Sequence, residues 1–173
     1  MISKAMQDAM NEQMKHEFYS SYLYLSMSAF LDSANLPGLA RWMRAQAQEE
    51  TKHAMKIFDH VLDRGGKVAL QQLGQPPADF TSPRDVFDQA HKHEEQVTAS
   101  INKVYGQAVD ERDFASTAFL DWFVREQVEE EKTSGLLAEQ FRMVGEDRPG
   151  LLMLDRELGQ RKSGQSESPA DAT

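Results

Sequence analysis

Glu50 and His53 stand three residues apart in a stretch, Ala45 to Met55, that has no Gly, no Pro and one β-branched residue, Thr51. Nothing in it opposes a helix. At helical pitch Glu50 shares a face with Met43, Gln46, Ala47, His53, Ala54 and Ile57. That face is mostly apolar and so turns inward. A carboxylate and an imidazole that enter a core together can share one metal ion. Taken alone, the pair is equally well read as a core histidine hydrogen-bonded to a partly buried glutamate.

Partners elsewhere in the chain shift that balance toward metal. Glu17 lies 33 positions before Glu50, Glu94 lies 33 before Gln127, and Glu130 follows Gln127 by three. A shift of 77 carries Glu17, Glu50 and His53 onto Glu94, Gln127 and Glu130. Each falls on an apolar stripe: Met10, Met14 and Tyr24 around Glu17; Phe87, Ala90, Val97 and Ile101 around Glu94; Leu120, Phe123, Val124 and Leu137 around Gln127 and Glu130. Isolated buried carboxylates protonate rather than stay charged, and several together also repel. A pair of divalent cations removes both penalties, and its binding then adds to folding. The chain has no Cys, which excludes zinc-finger and iron–sulfur chemistry. An oxygen-rich set with one imidazole suits iron or manganese, with zinc as a substitute.

The elements that must position these groups are helices, and the fold class is all-α. Met1 to Asp32 reads as a first long helix with Met6, Met10, Met14, Tyr24, Met27 and Leu31 inward. Pro37 and Gly38 make the first turn, and a second helix runs from about Leu39 to Arg64, stopped by Gly65 and Gly66. Lys67 to Ser82, with Gly74, Pro76 and Pro77, is a crossover along the side of a bundle. Thr81 or Ser82 caps a third helix that reaches about Val109, with Pro83 in its first position. A fourth helix runs from Phe114 to Val144, with Gly135 inside it as a point of close packing. Asp147 and Pro149 open a short fifth helix, whose Leu151, Leu152, Leu154 and Leu158 predict burial against a neighbouring subunit. Two short turns and one long crossover give a four-helix bundle. Residues 1–160 form one domain, and the Ser-, Gly- and Pro-containing segment 161–173 reads as a disordered polar tail.

A net charge of −9 argues against nucleic acid and anionic membrane as partners and favours attraction of cations. The first 18 residues carry no apolar signal core, and no stretch has the apolar length of a membrane span. With no Cys, these features predict a soluble, cytoplasmic protein.

The chain resembles a bacterial non-haem ferritin over nearly its whole length, to about Leu158. The residues that carry the resemblance are His16-Glu17-Phe18, Gln48-Glu49-Glu50-Thr51-Lys52-His53, Glu94, and Glu126-Gln127-Val128-Glu129-Glu130. The resemblance implies that Glu17, Glu50, His53, Glu94, Gln127 and Glu130 form a di-iron ferroxidase centre. It implies that Glu49, Glu126 and Glu129 serve a third iron site. It further implies a homo-oligomeric shell of 24 subunits that oxidises ferrous iron with dioxygen or peroxide and stores the ferric mineral inside. In this reading Glu50 bridges, Glu17 and His53 complete one iron site, and Glu94 and Glu130 complete the other beside Gln127.

Neighbouring families fit less well. Bacterioferritins carry a haem-ligating Met directly after the second helix's Glu, where this chain has Thr51, so no haem is expected. They also have Glu and His where this chain has Gln127 and Glu130. Rubrerythrins need a Cys-bound iron module, and the DNA-coating relatives usually need a basic tail; this chain has neither. A di-iron oxygenase acting on an organic substrate is the rival from another class, and it requires an apolar chamber beside the metals. Tyr24 either bonds a ligand carboxylate, supplies an electron, or is an ordinary core tyrosine. Trp122 has the same choices, with packing favoured. His91 shares the Glu94 face and is a candidate neighbour of that carboxylate.

Overall fold

A computed structural model describes residues 1–160, which form five helices and no strand. The predicted tail, 161–173, lies outside the described residues. The first helix, α1, spans Lys4–Ser33, and Ser3 caps it by accepting the Met6 N–H at 3.0 Å. Asn35, in the left-handed region at φ 61°, makes the first turn. Pro37 and Gly38 therefore do not make it, contrary to the sequence expectation. Pro37 already stands in the first turn of α2, Pro37–Asp63, where its missing N–H leaves nothing unsatisfied. Gly65, at φ 71°, ends α2 as expected.

The crossover is tied to α1. Asn11 donates to the Lys67 carbonyl at 3.0 Å and accepts the Ala69 N–H at 2.9 Å, while Gln7 accepts the Lys67 N–H at 2.7 Å. Ser82 caps α3, Pro83–Asp110, by accepting the Asp85 N–H at 3.1 Å. Asp113 caps α4, Phe114–Val144, which ends at Gly145 with φ 57°. Inside α4, a Cβ on Gly135 would lie 3.1 Å from the His91 ring, so this glycine does permit close packing against α3.

The fifth helix, α5, is Arg148–Leu158. Its apolar side meets its own subunit: Leu154 is buried, and Leu151 and Leu158 pack on the same cluster as Leu39 and Phe141. Only Leu152 of the four expected leucines is left exposed. The mode of attachment is polar as well. No side chain caps α2 locally, and Asp155 of α5 accepts the Leu39 N–H at 2.9 Å instead. Gly38 allows this approach, since a Cβ there would overlap the Asp155 carbonyl.

The apolar core is divided. One cluster holds Met27, Met43, Phe87 and Phe141; the other holds Met10, Ile57, Ile101 and Leu120. Along every bundle helix the boundary falls at the same group of polar residues. Glu17 separates Met14 from Leu23, Glu50 and His53 separate Ala47 from Ala54, Glu94 separates Ala90 from Val97, and Gln127 lies between Phe123 and Leu137. The layer that positions the candidate site is thus closed above and below by hydrocarbon.

Candidate metal centre

Glu17, Glu50, Glu94, Gln127 and His53 are all buried, with relative exposures of 1, 2, 1, 4 and 6%. Four helices deliver them, one or two from each. Glu17, Glu50 and His53 bring one ligand-type atom apiece within 4.8 Å of one another, the one such group of three among the described residues. Glu50 Oε2 lies 3.3 Å from His53 Nδ1. Edge contacts from Trp122, at 5.2 Å between centroids, and Phe123, at 6.1 Å, hold the imidazole ring. The Lys56 ammonium covers the Trp122 ring at 4.3 Å, so Trp122 acts here in packing.

The carboxylates of this group are electrostatically strained. Burial, and after it the neighbouring Glu50, pushes Glu17 well above the usual carboxylate range. Burial and then Glu94 do the same to Glu50, with Glu49 and Glu126 adding to the repulsion. Glu17 Oε1 accepts a hydrogen bond from Gln13 at 2.8 Å. Its Oε2 is buried with no hydrogen-bond partner, alone in this among the side chains of the described residues. A cation answers both the orphaned oxygen and the crowding of charge; a proton held between Glu17 and Glu50 is the alternative without one.

Glu94 is settled differently. The Tyr24 hydroxyl donates to its Oε1, and the Gln127 amide donates to its Oε2 at 3.3 Å. Gln127 also donates to Thr98 Oγ1 at 3.2 Å, which fixes the orientation of the amide. Burial raises Glu94, and these two hydrogen bonds oppose the rise. Burial and then Glu94 hold the Tyr24 phenol well above its usual range, so Tyr24 stays a neutral donor. His93 packs edge-on against Tyr24 at 6.3 Å, and burial lowers it to about 4, which keeps this ring uncharged as well. Glu130 is half-buried and accepts from Gln46 at 3.1 Å. Glu49 and Glu126 are buried at 8% each, and Glu129 is half-buried.

His91 turns away from the centre. Its Nδ1 lies 3.0 Å from Ser134 Oγ on α4, and its Nε2 is 3.9 Å from Glu95. Thr51 donates to the Ala47 carbonyl at 3.0 Å and meets Ser21 Oγ at 3.0 Å, which uses its hydroxyl in helix packing. Sequence reasoning missed Gln13 and gave Gln46 no role. A signal for both exists: each stands one turn before a ligand-type glutamate, and they are 33 apart, as Glu17 and Glu50 are. A cleft beside the layer is lined by Lys56, Asp59, His60, Asp63, Phe119 and Trp122. Its charged walls are not the apolar chamber that an organic substrate requires.

Residues 7–144 match the family model described as Ferritin, ferritin-like domain. The chain is 38% identical to a bacterial non-heme ferritin of Bacteroides fragilis (strain 638R), over 93% of this chain and 100% of that one. It is 35% identical to a probable bacterial non-heme ferritin-like protein of Haemophilus influenzae, over 92% of this chain and 96% of that one. Among solved structures, an open-pore ferritin from the archaeon Archaeoglobus fulgidus superimposes with a TM-score of 0.93 at 46% identity, covering 94% of this chain and 100% of that one.

Proposed function

Because the chain belongs to the ferritin family, we propose that it stores iron, oxidising ferrous to ferric iron at the buried carboxylate layer and holding the product as mineral inside a shell of 24 copies. Family and fold support iron storage as such. The single observation that carries the finer reading is the buried, unpartnered Glu17 Oε2 beside Glu50 and His53. An apolar core has no use for such a group, and a metal site does.

The two iron ions are substrates. Glu17, His53 and Glu50 take the first, and Glu50, Glu94 and Glu130 take the second, with Gln127 as a hydrogen-bonding neighbour. Each ferrous ion gives up one electron. Two electrons and two protons convert dioxygen to hydrogen peroxide, or two electrons and two protons convert hydrogen peroxide to two waters. Holding both ions in one layer makes the two-electron step possible. Metal binding displaces the protons that burial keeps on Glu17 and Glu50. Glu49, Glu126 and Glu129 serve a third iron beside the pair, and an acidic protein of charge −9 gathers further cations. We place the protein in the cytoplasm; no helix among the described residues is long and apolar enough to cross a membrane.

The test is aerobic addition of two ferrous ions per subunit to the metal-free protein, followed by ferric absorbance and by iron analysis of the size-exclusion peak. Fast oxidation with iron in a peak of shell size is expected. Oxidation no faster than in buffer would remove the ferroxidase reading, and a monomer-sized peak would remove the shell.

A further inference from the structure

Gln13 is 1% exposed, one turn before Glu17 on α1, and none of the ligand assignments uses it. Its Nε2 donates to Glu17 Oε1 at 2.8 Å. Its Oε1 accepts the hydroxyl of Ser100, on α3, at 2.6 Å. Ser100 Oγ in turn lies 2.9 Å from Nδ1 of His16, which is partly exposed. Since the Ser100 proton is committed to Gln13, His16 Nδ1 is the donor in that contact, and the bonds run one way from His16 through Ser100 and Gln13 to Glu17. The amide is turned so that its oxygen takes the Ser100 hydroxyl and its nitrogen faces Glu17 Oε1. One oxygen of Glu17 is therefore held from behind, and the other, Oε2, is the buried atom with no partner.

We propose that Gln13, itself held by Ser100, is a positioning residue that makes Glu17 a one-oxygen metal ligand: Oε1 stays on the amide and Oε2 is left for the ion. This rests on reading Glu17, Glu50 and His53 as a metal centre. Its chemical consequence is an open coordination position. A carboxylate free to rotate can grip one ion with both oxygens, which fills a place the oxidant or a water needs. Gln13 never touches the ion; it acts through Glu17, as groups hydrogen-bonded to ligands do elsewhere.

The probe is Co2+, which reports binding and coordination number through its visible absorption and needs no oxidation. It is titrated into the metal-free parent, Gln13→Met, Ser100→Ala and the double variant, with helical circular dichroism as the control for folding. Gln13→Met keeps the volume and loses the donor. It is expected to weaken the first Co2+ by roughly ten- to a hundredfold and to change the band intensity. Ser100→Ala should weaken it by about two- to fivefold in the parent and not at all in Gln13→Met, because Ser100 acts only through the amide. Parent affinity and an unchanged band in Gln13→Met would overturn the proposal. So would an equal Ser100→Ala loss in both backgrounds. If Gln13→Met does not fold, Ser100→Ala decides alone, and an unchanged affinity there overturns the proposal. A parent that takes up no Co2+ refutes the metal centre itself, and this inference with it.

Discussion

On the α1–α2 side of the polar layer, Glu17, Glu50 and His53 stand within 4.8 Å of one another, and a buried oxygen of Glu17 has no partner. On the α3–α4 side, both oxygens of Glu94 already accept hydrogen bonds from Tyr24 and Gln127, and Glu130 accepts one from Gln46. The two sides descend from one pattern, offset by 77 positions, yet they are finished differently. The first is left for a cation to complete. The second is completed by neutral donors that a cation must compete with or displace. A buried polar group is expensive only while unpaired, so the first side has more to gain from metal. Under the proposed function, the first side would hold iron tightly and the second loosely, which suits a centre that must refill.

The largest break in that comparison removes the group common to both sides. Glu50→Ala should slow fast ferrous oxidation by a hundredfold or more while leaving the helical content intact, as stopped-flow absorbance and circular dichroism would show. Parent-like rates would rule out Glu50 as the bridge. The next change makes the sides alike. In Gln127→Glu with Glu130→His the second ion gains an imidazole and an anionic contact. The variant should retain its first pair of irons and oxidise a second pair about ten- to a hundredfold more slowly. Equal rates for both rounds would show that the asymmetry does not govern turnover.

A smaller effect, opposite in sign on the two sides, appears in the metal-free protein. Glu17→Gln replaces a buried carboxyl crowded by Glu50 with an amide that is neutral at every pH and should raise metal-free stability by about 1 kcal/mol or more. Glu94→Leu strands the Tyr24 hydroxyl and the Gln127 amide and should lower it by about 1–3 kcal/mol. Chemical denaturation after chelation measures both, and a shared sign would contradict the contrast. Acidity should move the same quantity. Folding raises Glu17, Glu50 and Glu94 above their unfolded values, so the folded state binds more protons in the window between the two. Stability from these groups is then present below the unfolded carboxylate range and is lost as pH rises through the raised values. The metal-free parent should therefore lose stability relative to Glu50→Gln as pH rises above the ordinary carboxylate range through the raised values, while metal affinity rises over the same interval. A parallel pH profile for the two proteins would exclude that origin.

Much of this was legible before any coordinates. Helix ends followed from Ser82, Pro83, Gly65 and Gly145, whose backbone preferences act locally. The inward residues followed from apolar period, since every neighbour assigned to Glu50 on α2 is buried. What was misread depends on partners distant in sequence. Pro37 and Gly38 look like a turn until Asp155, 116 residues away from Leu39, is known to cap α2. Leu151, Leu154 and Leu158 of α5 look like an interface for the same reason, because the surface they cover is built by α2 and α4. His91 shares a helix with Glu94 and still turns toward Ser134. Gln13 is readable by the 33-residue offset it shares with Gln46, but an uncharged amide on an apolar stripe shows no role until the atom it donates to is known.

The contrast between the two sides is tested most directly by calorimetric titration of ferrous iron into the metal-free protein without oxygen, in the parent, Glu17→Gln and Glu130→Gln. Two separate binding steps are predicted in the parent. Glu17→Gln should lose the tighter step and Glu130→Gln the weaker one. A single step of two equal ions, or loss of the tighter step in Glu130→Gln with its survival in Glu17→Gln, would contradict it.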